Sequence, residues 1–299
     1  MRAFNRISTL AIAATALTFG STLSAAPTPY HSAPAAKQAV EFAPGIISTK
    51  DNFEINTVFN KAGDHVIFAR CHDDFSQCTM MGSHYKNGQW QPPVALPFSG
   101  GYLEADAYYN EDYSAIYFVS KRPIKPGSAV SSSVNLWRVA LDKGVWQTPQ
   151  YLPDLSSDSD DLYPSITANG DLYFPSFRDN QRQMYVAKKT PAGFEEPKPL
   201  PAHIYGKDAK IGDSVVLSDG NTIIFSISGR NDSLGKGDLY IAEKVDGIWS
   251  EARSLGEKVN TPNHEFTPIV SPNGEYLFFT RIENGRGNLY QIKLSAILQ

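Results

Sequence analysis

The stretch Glu265-Phe-Thr-Pro-Ile-Val-Ser-Pro-Asn-Gly-Glu-Tyr-Leu-Phe-Phe-Thr-Arg281 decides the fold, because the chain repeats it. Asp161-Leu-Tyr-Pro-Ser-Ile-Thr-Ala-Asn-Gly-Asp-Leu-Tyr-Phe-Pro-Ser-Phe-Arg178 has the same order and almost the same spacing. Shorter copies run from Glu54 to Phe68, Glu104 to Phe118 and Ile211 to Phe225. The copies therefore open at positions 54, 104, 161, 211 and 265. Each continues through a loop into an alternating run: Asn135-Leu-Trp, Gln183-Met-Tyr, Asp238-Leu-Tyr and Asn288-Leu-Tyr in four of them. Turns of the type Gly88-Gln-Trp90, Gly144-Val-Trp146 and Gly247-Ile-Trp249 follow, with Gly193-Phe194 as a shortened form, and a last short apolar run completes the unit.

Alternating runs bounded by Asn-Gly and Asp-Gly turns read as antiparallel strands. Four strands in a unit recurring about every 50 residues read as propeller blades, which bury their faces by packing in a ring. Helical periodicity of useful length is absent beyond the N-terminus. The fold expected is an all-β propeller of five four-stranded blades. The fifth copy runs out soon after its third strand, so residues Phe42 to Ser48 are expected to supply the missing strand and close the ring.

Composition agrees. Tyr and Phe number 15 and 16, with 22 Gly and 20 Pro, which suits short strands and tight turns. The formal charge of −4 gives no basic footprint for nucleic acid. Arg2 and Arg6 precede an uncharged, mostly apolar run from Ile7 to Phe19, and Ser24-Ala25-Ala26 offers the small residues of a cleavage site. Residues 1–25 read as a secretory signal; the run is shorter than the ~20 residues of a bilayer span. Cleavage leaves 25 basic and 31 acidic side chains, a charge of −6. Residues 26–41 are Ala- and Pro-rich and read as a flexible leader, followed by one propeller domain over 42–299. No later segment is long and apolar enough to span a membrane, so a periplasmic or secreted protein is expected. The two cysteines, Cys71 and Cys78, are close and even in number, which in an exported chain implies a disulfide across a hairpin.

The repeat resembles the WD-like repeat of TolB-type propellers, E-x-x-P-x-x-S-P-D-G-x-x-L-x-F-x-S-x-R followed by a Gly-rich loop and D-L-Y. Glu265 to Arg281 with Gly285-Arg-Gly-Asn-Leu-Tyr290 matches almost throughout, and the resemblance covers residues 42–299. TolB-type proteins add an N-terminal α/β domain and a sixth blade, for which this chain has no room. Their role in envelope translocation is therefore not carried over.

Two recurring positions carry charge. Glu54, Glu104, Asp161 and Glu265 open the innermost strands, with Ile211 in the fourth unit. Arg70, Arg122, Arg178, Arg230 and Arg281 follow the second strands. In a funnel reading, these nine residues bind a cationic or anionic ligand at one mouth. A hydrolase reading uses two of the acids ~5–9 Å apart, as acid and as nucleophile or base. In a structural reading each acid bonds turn amides or an Arg, whose planar fork suits carboxylates. Regular recurrence argues for the last, because catalysis places its two carboxylates in unequal environments. The six histidines show no metal-ligand spacing, Asp154 to Asp161 lacks the Gly-kinked calcium loop, and no G-x-S-x-G elbow occurs. No cofactor or metal is expected. The function expected is a non-catalytic binding module for an envelope or secreted protein, a peptide or a glycan, with a glycan- or lactone-directed hydrolase as the alternative.

Overall fold

The computed structural model describes residues 29–298, so the signal-sequence reading and the start of the leader lie outside the described residues. The described chain is a five-bladed β-propeller. Its innermost strands are Phe53–Phe59, Glu104–Tyr109, Ser165–Ile166, Lys210–Val216 and His264–Val270. Second strands (His65–Cys71, Ala115–Ser120, Leu172–Ser176, Thr222–Ser228, Tyr276–Glu283) and third strands (Cys78–Lys86, Asn135–Asp142, Gln183–Ala187, Asp238–Val245, Arg286–Lys293) pair antiparallel in order. Two-residue pieces form the outer edge of the first four blades. Short edge strands of this kind limit sheet-to-sheet association.

The ring closes through Val40–Glu41, which pairs antiparallel with Gln291 and Tyr290; the Phe42 N–H then donates to the Leu289 carbonyl at 2.8 Å. The closing strand thus lies two residues upstream of the expected Phe42 to Ser48. Pro44 and Gly45 turn that stretch away from the sheet, with Ala43 and Gly45 at left-handed φ of 45° and 78°. The turn still grips the strand: Leu289 N–H donates to Ser48 Oγ (3.1 Å), which donates to Leu289 O (3.2 Å). The described part of the leader is docked as well, contrary to the composition-based expectation. Tyr30 is buried against Phe59, Tyr276 and Phe278, with ring centroids 5.0, 5.7 and 5.9 Å away, and Ala35 is fully buried. One aromatic anchor outweighs an otherwise featureless composition.

Buried faces follow the repeat: Phe68, Phe118, Phe174, Phe225 and Phe278, all on second strands, are fully buried. Cys71 and Cys78 face each other across the hairpin of the first blade and form the expected disulfide. Further along that hairpin, His65 stacks on His84 at 4.3 Å. Gly82 makes room, since a Cβ there would lie 2.9 Å from His65 Nε2. Burial, and next the neighbouring His84, push the His65 pKa down to about 4.

A base whose folded pKa is depressed stabilises the fold above its unfolded pKa and loses that contribution as pH falls through the folded value. Between pH ~6.5 and about 4, His65 therefore removes up to ~1.4 kcal/mol of stability per pH unit. Denaturant melts of wild type and His65→Phe across this window should show the smaller slope in the variant. Equal slopes would count against the burial of His65.

Candidate functional site

In four of the five blades the entering linker is tied to one acid that pairs with one Arg. Glu265 accepts from Thr261 N–H (3.2 Å) and Thr261 Oγ1 (2.6 Å), and from Arg281 Nε at 2.7 Å. Arg281 Nη2 donates to the linker carbonyl of Val259 at 2.8 Å. In the third blade Asp161 accepts from Ser157 N–H and Oγ, from Ser176 Oγ (2.6 Å) and from Arg178 (2.9 Å), while Arg178 reaches Leu155 O. Glu104 takes Gly100 N–H and Arg122, which reaches Phe98 O; Glu54 takes Thr49 N–H, Thr49 Oγ1 and Arg70. The guanidinium of Arg281 also lies over Tyr290 at 4.4 Å and that of Arg178 over Tyr185 at 4.9 Å, which explains the recurring Leu-Tyr.

These four carboxylates are buried, so they do not form an open ring in the funnel. Burial is the main cause that lifts the Glu54 and Glu265 pKa values, with Thr donors and Arg pulling against it. The geometry is that of a structural joint. In the fourth blade Ile211 stands at the acid position, and Arg230 turns to exposed Asp232 and Glu251 while still donating to the linker carbonyl of Tyr205 (3.0 Å).

The position two residues after each acid, and after Ile211 in the fourth blade, varies: Asn56, Asp106, Tyr163, Asp213 and Thr267. Four of these take left-handed φ, at 55°, 57°, 43° and 49° for Asn56, Asp106, Tyr163 and Thr267. Bulges mark the same place in four inner strands, and Asp213 sits within the fourth. A bulge re-aims the side chain that follows it. These positions carry one polar side chain in each blade. Tyr163 crosses the axis: its hydroxyl accepts from Asn56 Nδ2 of the first blade (3.2 Å) and donates to Pro268 O of the fifth (3.0 Å). Asp213 pairs with Arg182 Nη2 at 2.6 Å. Asp106 is only 8% exposed. Burial first, and then the charge of Asp213, push its pKa up to about 8, against a backbone N–H from Tyr163 and the charge of Arg182. Sequence reading passed over this set because it sought recurrence; the readable signal was a polar position that varies inside an otherwise regular repeat.

At the other end of the inner strands, all five blades line an axial cavity of about 130 Å³. Val58, Tyr108, Thr167, Ser218 and Val270 represent the blades in turn, and Glu111 and Tyr113 stand at the rim. A second cavity, of about 370 Å³ between the second and third blades, shares Asn110 and Glu111 with it. Tyr117, Phe194, Arg138 and Lys189 line this groove. Among the described residues no group of three or more His, Cys, Asp or Glu is arranged to hold a metal.

No family model matches the chain, and no curated protein matches it in sequence. Solved structures match in fold. A protein assigned as TolB from Agrobacterium tumefaciens superposes on 82% of this chain and 78% of its own, with a TM-score of 0.53 at 12% identity. An alpha-L-arabinofuranosidase from Lactobacillus brevis matches over 81% of this chain and 90% of its own, with a TM-score of 0.50 at 11% identity. At such identities the likeness is one of fold, and the chain is a five-bladed β-propeller resembling the TolB propeller.

Removing one member of a buried pair strands the other charge. Arg281→Ala should therefore cost about 3–5 kcal/mol in denaturant unfolding, and Arg230→Ala, whose acids are exposed, about 1 kcal/mol or less. Equal losses would contradict the joint. An acid with a raised folded pKa stabilises the fold below its unfolded pKa and loses that contribution as pH rises through the folded value. Asp106→Asn should thus gain stability over wild type progressively from pH ~4 to about 8. A pH-independent difference would contradict the shift.

Proposed function

We propose that this protein is an exported, non-catalytic binding module. Its ligand is an envelope or secreted protein, a peptide or a glycan, held at the axial mouth formed by the turns after the inner strands. The observation that carries this reading is convergence: all five blades bring apolar, aromatic and hydroxyl side chains to one cavity, with a groove running out between the second and third blades. Aromatic walls with a few polar groups are the usual chemistry of such sites. The disulfide is consistent with export into an oxidising compartment. The alternative of a glycan- or lactone-directed hydrolase loses the four carboxylates first assigned to it, since an Arg and turn donors engage each one.

Ser218 is exposed at the cavity rim, so Ser218→Trp fills the mouth with little effect on the core. Crosslinking in intact cells followed by purification should recover a reproducible partner with wild type, and at least about tenfold less with the variant, a change of ~1.4 kcal/mol. Undiminished recovery by the folded variant would sink this assignment.

A further inference from the structure

The mouth on the linker side has its own unsatisfied chemistry. Asn56 is 2% exposed, yet its Oδ1 is buried with no hydrogen-bond partner. Its Nδ2 is committed to Tyr163, whose hydroxyl is in turn committed to Pro268 O, so the open valence is an acceptor. Asp106 has the Tyr163 backbone N–H as its hydrogen-bond donor, and Asp213 receives Arg182 on Oδ1 alone. The Asp213 and Arg182 side chains are 16% and 22% exposed, so this pair reaches solvent while Asn56 and Asp106 lie buried behind it. The acids that open the inner strands, Glu54, Glu104, Asp161 and Glu265, are spent on their own Arg partners. His264, depressed by burial, stands near Asp213, Lys236 and Asp238, and Tyr163 lies near both Asp213 and Asp106, with Tyr108 beside it.

Two carboxyl groups thus face one guanidinium, and a buried amide oxygen lacks a donor. We propose that Asp106, Asp213 and the orphaned amide oxygen of Asn56 together form a binding site for one primary ammonium group, such as a lysine side chain or the amino terminus of a peptide. Its three N–H donors match three acceptors: an Asp106 oxygen, the free Asp213 oxygen and Asn56 Oδ1. Ca²⁺ takes six to eight oxygens, more than this set offers. On entry the ammonium keeps its proton and pairs with the Asp106 carboxylate, and the Asp106 proton leaves to solvent. No covalent bond forms or breaks except that O–H. The site is independent of the cavity at the opposite mouth.

Calorimetric titration of the full chain with methylammonium chloride, and with tetramethylammonium chloride as the donor-free control, tests the site. Methylammonium should bind and tetramethylammonium should not. Affinity should rise by up to about tenfold per pH unit between about pH 5.5 and about pH 7.5, with close to one proton released per ammonium at the lower pH. Asp106→Asn, an isostere of the protonated form, should fold and lose both the binding and the proton release. Asp213→Asn should weaken binding without removing its pH dependence. No binding of methylammonium, an equal response to both salts, a pH-independent affinity, or unaltered binding by folded Asp106→Asn would each overturn the proposal.

Discussion

The buried carboxylate–guanidinium joint is the interaction on which the ring depends. A propeller blade contacts its neighbours through apolar faces, which are non-directional. The linker entering each new blade carries backbone donors and carbonyls that the fold leaves partly buried, and an unsatisfied polar group there is costly. In four blades one acid takes the linker N–H and pairs with one Arg. For three of the four, and for the fourth blade as well, the Arg–carbonyl bond is explicit: Phe98, Leu155, Tyr205 and Val259. The pair fixes where the linker crosses, and hence where the next inner strand begins.

That placement positions the axis. Two residues beyond three of the four joints the inner strand bulges, and left-handed backbone at non-glycine residues carries strain of order 1–3 kcal/mol each. Four such residues at equivalent positions, Asn56, Asp106, Tyr163 and Thr267, are held by the ring around them. The regular part of the repeat thus supports an irregular set of side chains. Asp106 and Asp213 sit in unequal surroundings there, one buried near a like charge and one paired with Arg182.

The sequence made the architecture legible because blade physics is periodic. Recurring acids, glycines and aromatics reported strand, turn and joint, and the structure follows them to within two residues at the closing strand. The structural reading of Glu54, Glu104, Asp161 and Glu265 was legible on the same ground. Two things were not. Tyr30 lies in a composition without pattern, and its burial depends on Phe59 and Phe278, distant in sequence. Asn56, Asp106, Tyr163, Asp213 and Thr267 show four residue types at five equivalent positions, so the repeat pattern alone does not mark them as a set.

The central claim is that the recurring pairs hold the ring and that recognition lies on the axis. The most direct measurement is partner capture by Glu104→Gln/Arg122→Met, which removes one joint's charges together and leaves neither unpaired. Replacing both members of a buried pair is often close to neutral in stability, so the double variant should fold. The account predicts capture equal to wild type per folded molecule. Loss of capture by a fully folded double variant would contradict it and return the binding role to the acid and arginine positions.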